Sequence, residues 1–286
     1  MNKLVQFSRA IIAIAMLLAV SSPSFAYDFE ADGIYYNITD EIAKTVEVTY
    51  KGESYVEYYD EYAEKVIIPE SVSYNGETYL VTSIGEAAFG HCSKLNTVFI
   101  PNTVISIGNS AFVSSSITEI IIPNSVTTIG DYAFAACNEM TSVTIPNSVI
   151  SIAEFAFYWC FSLRSVTIGS SVSSIGDYAF AYCRKLQYVT SLNLTPPACG
   201  AGVFNNRATN ASLTVPESAI SAYKSADVWR DFYEIEVAGA NNIVTTENSI
   251  TSVARYDANG RLLSEPTPGI NIIKMSDGST RKVWVK

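Results

Sequence analysis

SVTIPNSVISIAEFAFYWC, residues 142–160, contains a phrase that the chain repeats. Aligned on its isoleucine, the phrase reads SIGEAAF from Ser83, SIGNSAF from Ser106, TIGDYAF from Thr128, SIAEFAF from Ser151 and SIGDYAF from Ser174. The isoleucines Ile84, Ile107, Ile129, Ile152 and Ile175 recur at intervals of 23, 22, 23 and 23 residues. Self-similarity at such a period marks a solenoid, in which each unit is one turn of a stack.

Each unit opens on a short strand that ends in proline or glycine: TVFIP at Pro101, EIIIP at Pro123, SVTIP at Pro146, SVTIG at Gly169. The period of two sends Val98 and Ile100 to one side and Phe99 to the other. Proline closes the strand because it has no N–H for a ladder, and the following Asn suits a tight turn. Val104, Val126, Val149 and Val172 point back inside. The Ala-Phe pairs at 88–89, 111–112, 133–134, 156–157 and 179–180 then begin a short helical or 3₁₀ segment whose phenylalanine fills the core.

A single unit has no core of its own. About six apolar side chains per coil, at ~1.5–3 kcal/mol each when buried, offset the ordering of a coil only if neighbours cover both faces. The repeat therefore predicts an α/β-type, β-rich solenoid of about five to six coils of 22–23 residues, with a parallel sheet along one face. Cys92, Cys137, Cys160 and Cys183 each fall three residues after a core phenylalanine, where the one-residue-shorter second unit has Ser115. They read as a stacked row of buried thiols. Disulfides between adjacent coils are the rival reading, and identical rungs do not converge on a tetrahedral metal.

The unit L-x-x-V-x-I-P-x-S-V-x-x-I-G-x-x-A-F-x-x-C resembles the BspA-like leucine-rich repeat family. LRSVTIGSSVSSIGDYAFAYC, residues 163–183, follows it nearly position by position. The resemblance spans residues 66–216 and implies a leucine-rich-repeat fold. It also implies a secreted or surface protein of host-associated bacteria, of the kind that includes adhesins for matrix proteins or other cells. Gly169 in place of proline and Ala153 in place of glycine depart from the pattern and predict local kinks.

The ends read as caps. GIYYNIT and KTVEVTYKG alternate like two joined strands, and Asn75-Gly76 is a hairpin signal. Residues 27–79 are accordingly an N-terminal β cap, overlapping the solenoid at 66–216. Its acidic, tyrosine-rich stretch 54–64 is a solvated edge or a contact patch. Residues 217–237, with Ala219, Tyr223, Val228, Trp229 and Phe232, form an amphipathic helical C-terminal cap with a break at Ala226-Asp227. Residues 238–248 are a linker. Residues 249–286 form a small β module of three short strands with turns at Asn259-Gly260 and Asp277-Gly278. YDANGRLL, PGINII and KVWVK within it resemble a short C-terminal sorting module of type IX secretion, and an accessory β unit is the alternative.

Residues 1–26 form a secretory signal peptide: Lys3 and Arg9, an apolar run over 11–20, and Ser24-Phe25-Ala26 before the cut. The chain is thus expected to be exported to the cell surface or the extracellular space, with the periplasm as fallback. The mature chain is not expected to span a membrane. The whole chain's 28 acidic against 18 basic residues, a net charge of −10, exclude nucleic acid as a partner.

Catalytic residues are scarce. The single histidine, His91, occupies a position filled elsewhere by Ala136, Trp159 and Tyr182. No nucleophile elbow, phosphate loop or dinucleotide fingerprint is present. Carboxylates such as Asp131 and Glu154 stack in adjacent coils at solvated loop positions. The expectation is a protein that is not an enzyme and uses no cofactor or metal.

A surface remains. The outward strand residues form one row of Phe99, Ile121, Thr144, Thr167 and Thr190. A second row is Thr97, Glu119, Ser142, Ser165 and Tyr188. Phe99 and Ile121, large and apolar beside polar rungs, mark one candidate patch, with Thr144, Thr167 and Tyr188 along it. The loop row Trp159, Phe161 and Tyr182 is a second candidate. The expected partners are a protein or glycan, including host matrix, and the secretion or anchoring machinery through the tail. The alternative is a self-associating component of the cell envelope or matrix.

Overall fold

The structure is a computed structural model that describes residues 27–52 and 61–238, and the backbone of 252–257, 269–275 and 280–285. The repeat coils into a leucine-rich-repeat solenoid of about seven turns. Its longer strands run Glu64–Ile67, Leu95–Phe99, Glu119–Ile120, Ser142–Ile145, Ser165–Ile168, Tyr188–Ser191, Ser212–Val215 and Glu234–Val237. They pair in parallel, with Val98 opposite Ile120, Val143 opposite Val166 and Thr167 opposite Thr190. The row divides into two sheets between Glu119–Ile120 and Ser142–Ile145. The division falls beside the unit that is one residue short. That unit has only Ser116 where its neighbour has Ser93 and Lys94, so its strand is reduced to two residues.

A second parallel ladder, too short in each coil to be read from sequence, runs through the Ser-Ile pairs. The end of Glu77–Ile84 is followed by Ser106–Ile107, Thr128–Ile129, Ser151–Ile152, Ser174–Ile175 and Ala198–Cys199. This ladder is unbroken. It continues into the N-terminal hairpin Ile34–Asp40/Thr45–Thr49, because Thr45–Thr49 pairs in parallel with Glu77–Ile84. The Asn75-Gly76 turn, with both residues at positive φ, joins Ser71–Tyr74 to Glu77–Ile84.

The Ala-Phe segments are hydrogen-bonded turns, not the short helices that their composition suggests. Each coil places two residues in the left-handed region around its phenylalanine: Ala87 and His91, Ser110 and Ser114, Tyr132 and Ala136, Phe155 and Trp159, Tyr178 and Tyr182. The N–H groups of Ala87, Phe89 and His91 then donate to Asn109, Ala111 and Val113 of the next coil, while Gly90 N–H turns back to Ala87 O. A helix would use those donors internally and leave the coils unlinked on this side.

The core is a set of stacks. Phe89, Phe112, Phe134, Phe157, Phe180 and Phe204 lie ring over ring, with centroids 5.0, 5.1, 5.1, 5.1 and 5.5 Å apart. Tyr62 closes the N-terminal end at 4.8 Å from Phe89, and its hydroxyl donates to Thr49 O while accepting from Tyr35 N–H. Trp229 and Phe232 close the other end against Phe204, and Trp229 Nε1 donates to Pro197 O. The C-terminal segment is broken by Val228 at φ 69°. A 3₁₀ turn, the helix Ile220–Ser225 and a second 3₁₀ turn are followed by the strand Glu234–Val237, which pairs with Ser212–Val215.

The repeat cysteines are free and buried. The thiols of Cys137, Cys160 and Cys183 donate to the carbonyl of the preceding coil's phenylalanine, at 3.1, 3.1 and 3.2 Å. Burial raises the pKa of Cys137 and Cys160, so these groups stay protonated donors that tie coil to coil. Ser115 is too short to reach back and bonds its own coil's Phe112 O at 2.8 Å.

Beyond the solenoid, Ser252–Asp257, Gly269–Met275 and Thr280–Val285 form a three-stranded antiparallel sheet. The signal peptide, most of the 54–64 stretch, the 238–248 linker past Ala238 and both tail turns lie outside the described residues.

Two predictions follow from the packing. Phe157→Ala removes the ring at the middle of the stack and lowers the unfolding free energy by about 3–5 kcal/mol, read from urea denaturation. In the cap, burial raises the Glu47 carboxyl, Asn37 opposes the shift and Glu86 adds to it. An acid raised on folding favours the folded state while protonated, and that contribution is lost as pH rises above the ordinary carboxylate range. Glu47→Gln should therefore raise the melting temperature at neutral pH and leave it little changed in acid.

Candidate functional site: an aromatic flank

The sheet face carries part of the first predicted patch. Phe99 pairs across the ladder with Ile67, and Ile121 follows in the same outward register on the next coil. Ile67 and Ile121 are 38% and 40% exposed, while Phe99 is half-buried with Lys65 Nζ 4.6 Å from its ring centre. Ile67 extends the patch beyond the two residues that sequence suggested. Thr144 is exposed, Thr167 half-buried and Tyr188 56% exposed, so beyond Ile121 the row turns polar and Tyr188 stands three coils away. The structure does not bring Tyr188 to the Phe99 patch.

The turn flank, which carries Trp159 and Tyr182, is richer. Tyr132, Phe155 and Tyr178 occupy one position in three successive coils. Their rings stack at 4.7 and 5.3 Å with interplanar angles of 3° and 15°. Tyr158 packs edge-on to Phe155 and lies nearly parallel to Trp159 at 5.2 Å. Trp159 in turn meets Tyr182 edge-on at 6.2 Å and Phe161 at 6.1 Å. These seven aromatics form one continuous surface. Tyr132, Trp159 and Phe161 are its most exposed members, Trp159 at 45%. Its far end is covered by Arg184, whose guanidinium lies 5.5 Å from the Phe161 ring centre. Burial raises the Tyr158 hydroxyl above its ordinary pKa, helped by Tyr182, Tyr132 and Tyr178.

The backbone under these side chains is unusual. Tyr132, Phe155, Tyr178, Trp159 and Tyr182 all sit at φ between 54° and 61°. Bulky L-residues in that region cost on the order of 1 kcal/mol each. The conformation belongs to the fold, since Ala87, His91, Ser110, Ser114 and Ala136 adopt it at the equivalent positions. The aromatic side chains do not: small residues fill the same turns without them. Tyr132, Phe155, Tyr158 and Tyr178 were missed in the sequence reading, although the aligned phrases GDYAF, AEFAF and GDYAF hold three of them at one position.

His91 is half-buried, and burial lowers its pKa, leaving it neutral near pH 7. Asp131 and Asp177 accept backbone N–H groups of Glu154 and Ala201 from the following coils, at 3.0 and 2.7 Å. Among the described residues no group of three or more His, Cys, Asp or Glu could hold a metal ion, and no helix is long and apolar enough to cross a membrane.

The fold and this geometry define a leucine-rich-repeat protein. Residues 54–187 match the model of the BspA type leucine rich repeat region in six copies. Similar solved structures are also leucine-rich repeat proteins. One from Bacteroides ovatus is 23% identical, covers 74% of this chain and 76% of its own, and has a TM-score of 0.29. One from T. pallidum is 20% identical with coverages of 73% and 81% and a TM-score of 0.43. One from Bacteroides capillosus is 27% identical with coverages of 57% and 96% and a TM-score of 0.36. No curated protein matches the chain.

Proposed function

We propose that the protein is a non-catalytic recognition module, exported and held at the cell surface or released, that binds a protein or glycan ligand through the outer surface of its repeats. The aromatic flank is the binding surface. The observation that carries this reading is the run of bulky aromatics held outward in left-handed turns that Ala and Ser fill elsewhere. Exposed apolar side chains gathered at an energetic cost, on a rigid scaffold that does not need them, fit a docking surface better than a cap. Export rests on the sequence of residues 1–26, and the three-stranded tail serves sorting or anchoring. The sheet-face patch of Ile67, Phe99 and Ile121 is smaller, and Lys65 partly covers it.

The test is binding of the purified protein to a panel of matrix proteins, mucins and glycans. Two variants run beside it, Trp159→Asn/Tyr182→Asn and Phe99→Asp/Ile121→Asp, each checked for folding by circular dichroism. The flank variant should lose the ligand and the sheet variant should keep it. The opposite pattern moves the site to the sheet face. A panel without hits, together with a mass that grows with concentration in light scattering, replaces recognition by self-association in the envelope.

A further inference from the structure

A row of carboxylates borders the aromatic flank. Each outward aromatic of the stack follows an acid in sequence: Asp131 before Tyr132, Glu154 before Phe155, Asp177 before Tyr178. Where this position accepts a backbone N–H of the next coil, as at Asn109, Asp131 and Asp177, an amide oxygen serves as well as a carboxylate. Asn109 fills it in the preceding coil, where its Oδ1 accepts Asp131 N–H at 3.0 Å, as Asp131 Oδ1 does for Glu154 N–H. Glu154 is exposed. The ion pairs among the described residues, Lys44–Glu41 and Arg230–Asp227, lie elsewhere, and none reaches Asp131, Glu154 or Asp177. Unneutralised carboxylates thus run along aromatic rings, Tyr132 exposed and Phe155 and Tyr178 half-buried, over three coils, and neither feature is required by the backbone that carries it.

We propose that this flank takes a cationic polypeptide segment, rich in lysine or arginine. The proposal rests on the recognition role given above and names the chemistry of the partner. Aromatic rings accept the aliphatic stems and cationic heads of such side chains, and the neighbouring carboxylates neutralise them. Arg184 already lies on Phe161 in this manner at the far end of the surface. Coil spacing repeats the acid and aromatic pair along the stack, so an extended segment with several cations can engage successive coils. The net charge of −10 adds long-range attraction for such a partner.

The experiment titrates the purified protein with a synthetic peptide of alternating lysine and leucine. A glutamate–leucine peptide serves as counterpart, and calorimetry is run at about 50 and about 300 mM salt, where screening differs strongly. Three variants are compared: Asp131→Asn/Glu154→Gln/Asp177→Asn, Trp159→Asn/Tyr182→Asn, and Glu217→Gln/Glu234→Gln/Glu236→Gln. The last removes the same number of charges from another part of the surface. Both Asn replacements keep the backbone-accepting oxygen. The lysine peptide should bind, weaken with salt, and lose about tenfold or more in affinity in the first two variants but little in the third. Equal binding of both peptides, or equal losses from the two charge-neutralising variants, overturns the cationic partner. A matrix or glycan ligand that is lost in the aromatic variant but unchanged in the Asp131/Glu154/Asp177 variant keeps recognition and removes this inference alone. Indifference of all ligands to both flank variants removes both.

Discussion

The stack of Phe89, Phe112, Phe134, Phe157, Phe180 and Phe204 is the constraint on which the other features depend. Rings at about 5 Å centroid separation fix the rise from coil to coil close to the spacing of hydrogen-bonded strands. Both ladders and the turn flank must then repeat at the same rise. The thiols of Cys137, Cys160 and Cys183 bond to the carbonyls of the phenylalanines one coil back, locking the stack to the backbone. An open stack would expose a ring at each end, and Tyr62 at one end and Trp229 with Phe232 at the other close it.

Turns that hold the stack also present the candidate surface. Left-handed residues on either side of each phenylalanine aim alternate N–H groups at the next coil. The same positions hold the side chains of Tyr132, Phe155, Tyr178, Trp159 and Tyr182 on the partly exposed flank, whereas Ala87 at the first of them is buried. Where the residues are Ala87 or Ser110 the flank is plain. Where they are Tyr132, Phe155, Tyr178, Trp159 and Tyr182, the flank becomes an aromatic surface bordered by acids. Fold and the proposed recognition are therefore separable within one turn: the phenylalanine inside serves the first, and its left-handed neighbours carry the surface proposed for the second.

The solenoid, its inward Val and Ile positions and its core phenylalanines were legible in the sequence because each is a local pattern multiplied by the repeat. What was not legible depends on contacts between coils. Ala-Phe reads as helical within one unit, and only the bonds from Ala87, Phe89 and His91 to the next coil make it a turn. Ser-Ile pairs are too short to register as strands until they stack. The missing residue of the second unit was visible, but its division of the strand row appears only in three dimensions. At the site, Trp159 and Tyr182 were found as a loop row. Their neighbours Tyr132, Phe155 and Tyr178 were passed over because other coils hold Ala or Ser at that position, and a variable position does not stand out in one sequence. Ile67 was hidden by its place in a unit that reads as cap.

The most direct test of this separation of fold from recognition replaces Tyr132, Phe155, Tyr178, Trp159 and Tyr182 together by asparagine, a residue that tolerates the left-handed region. Urea unfolding and ligand binding are then measured on the same preparation. Stability within about 1 kcal/mol of the parent, with binding abolished, is the predicted result, because relief of backbone strain offsets the lost ring contacts. A loss of stability like that of Phe157→Ala would contradict the account and make the flank part of the core.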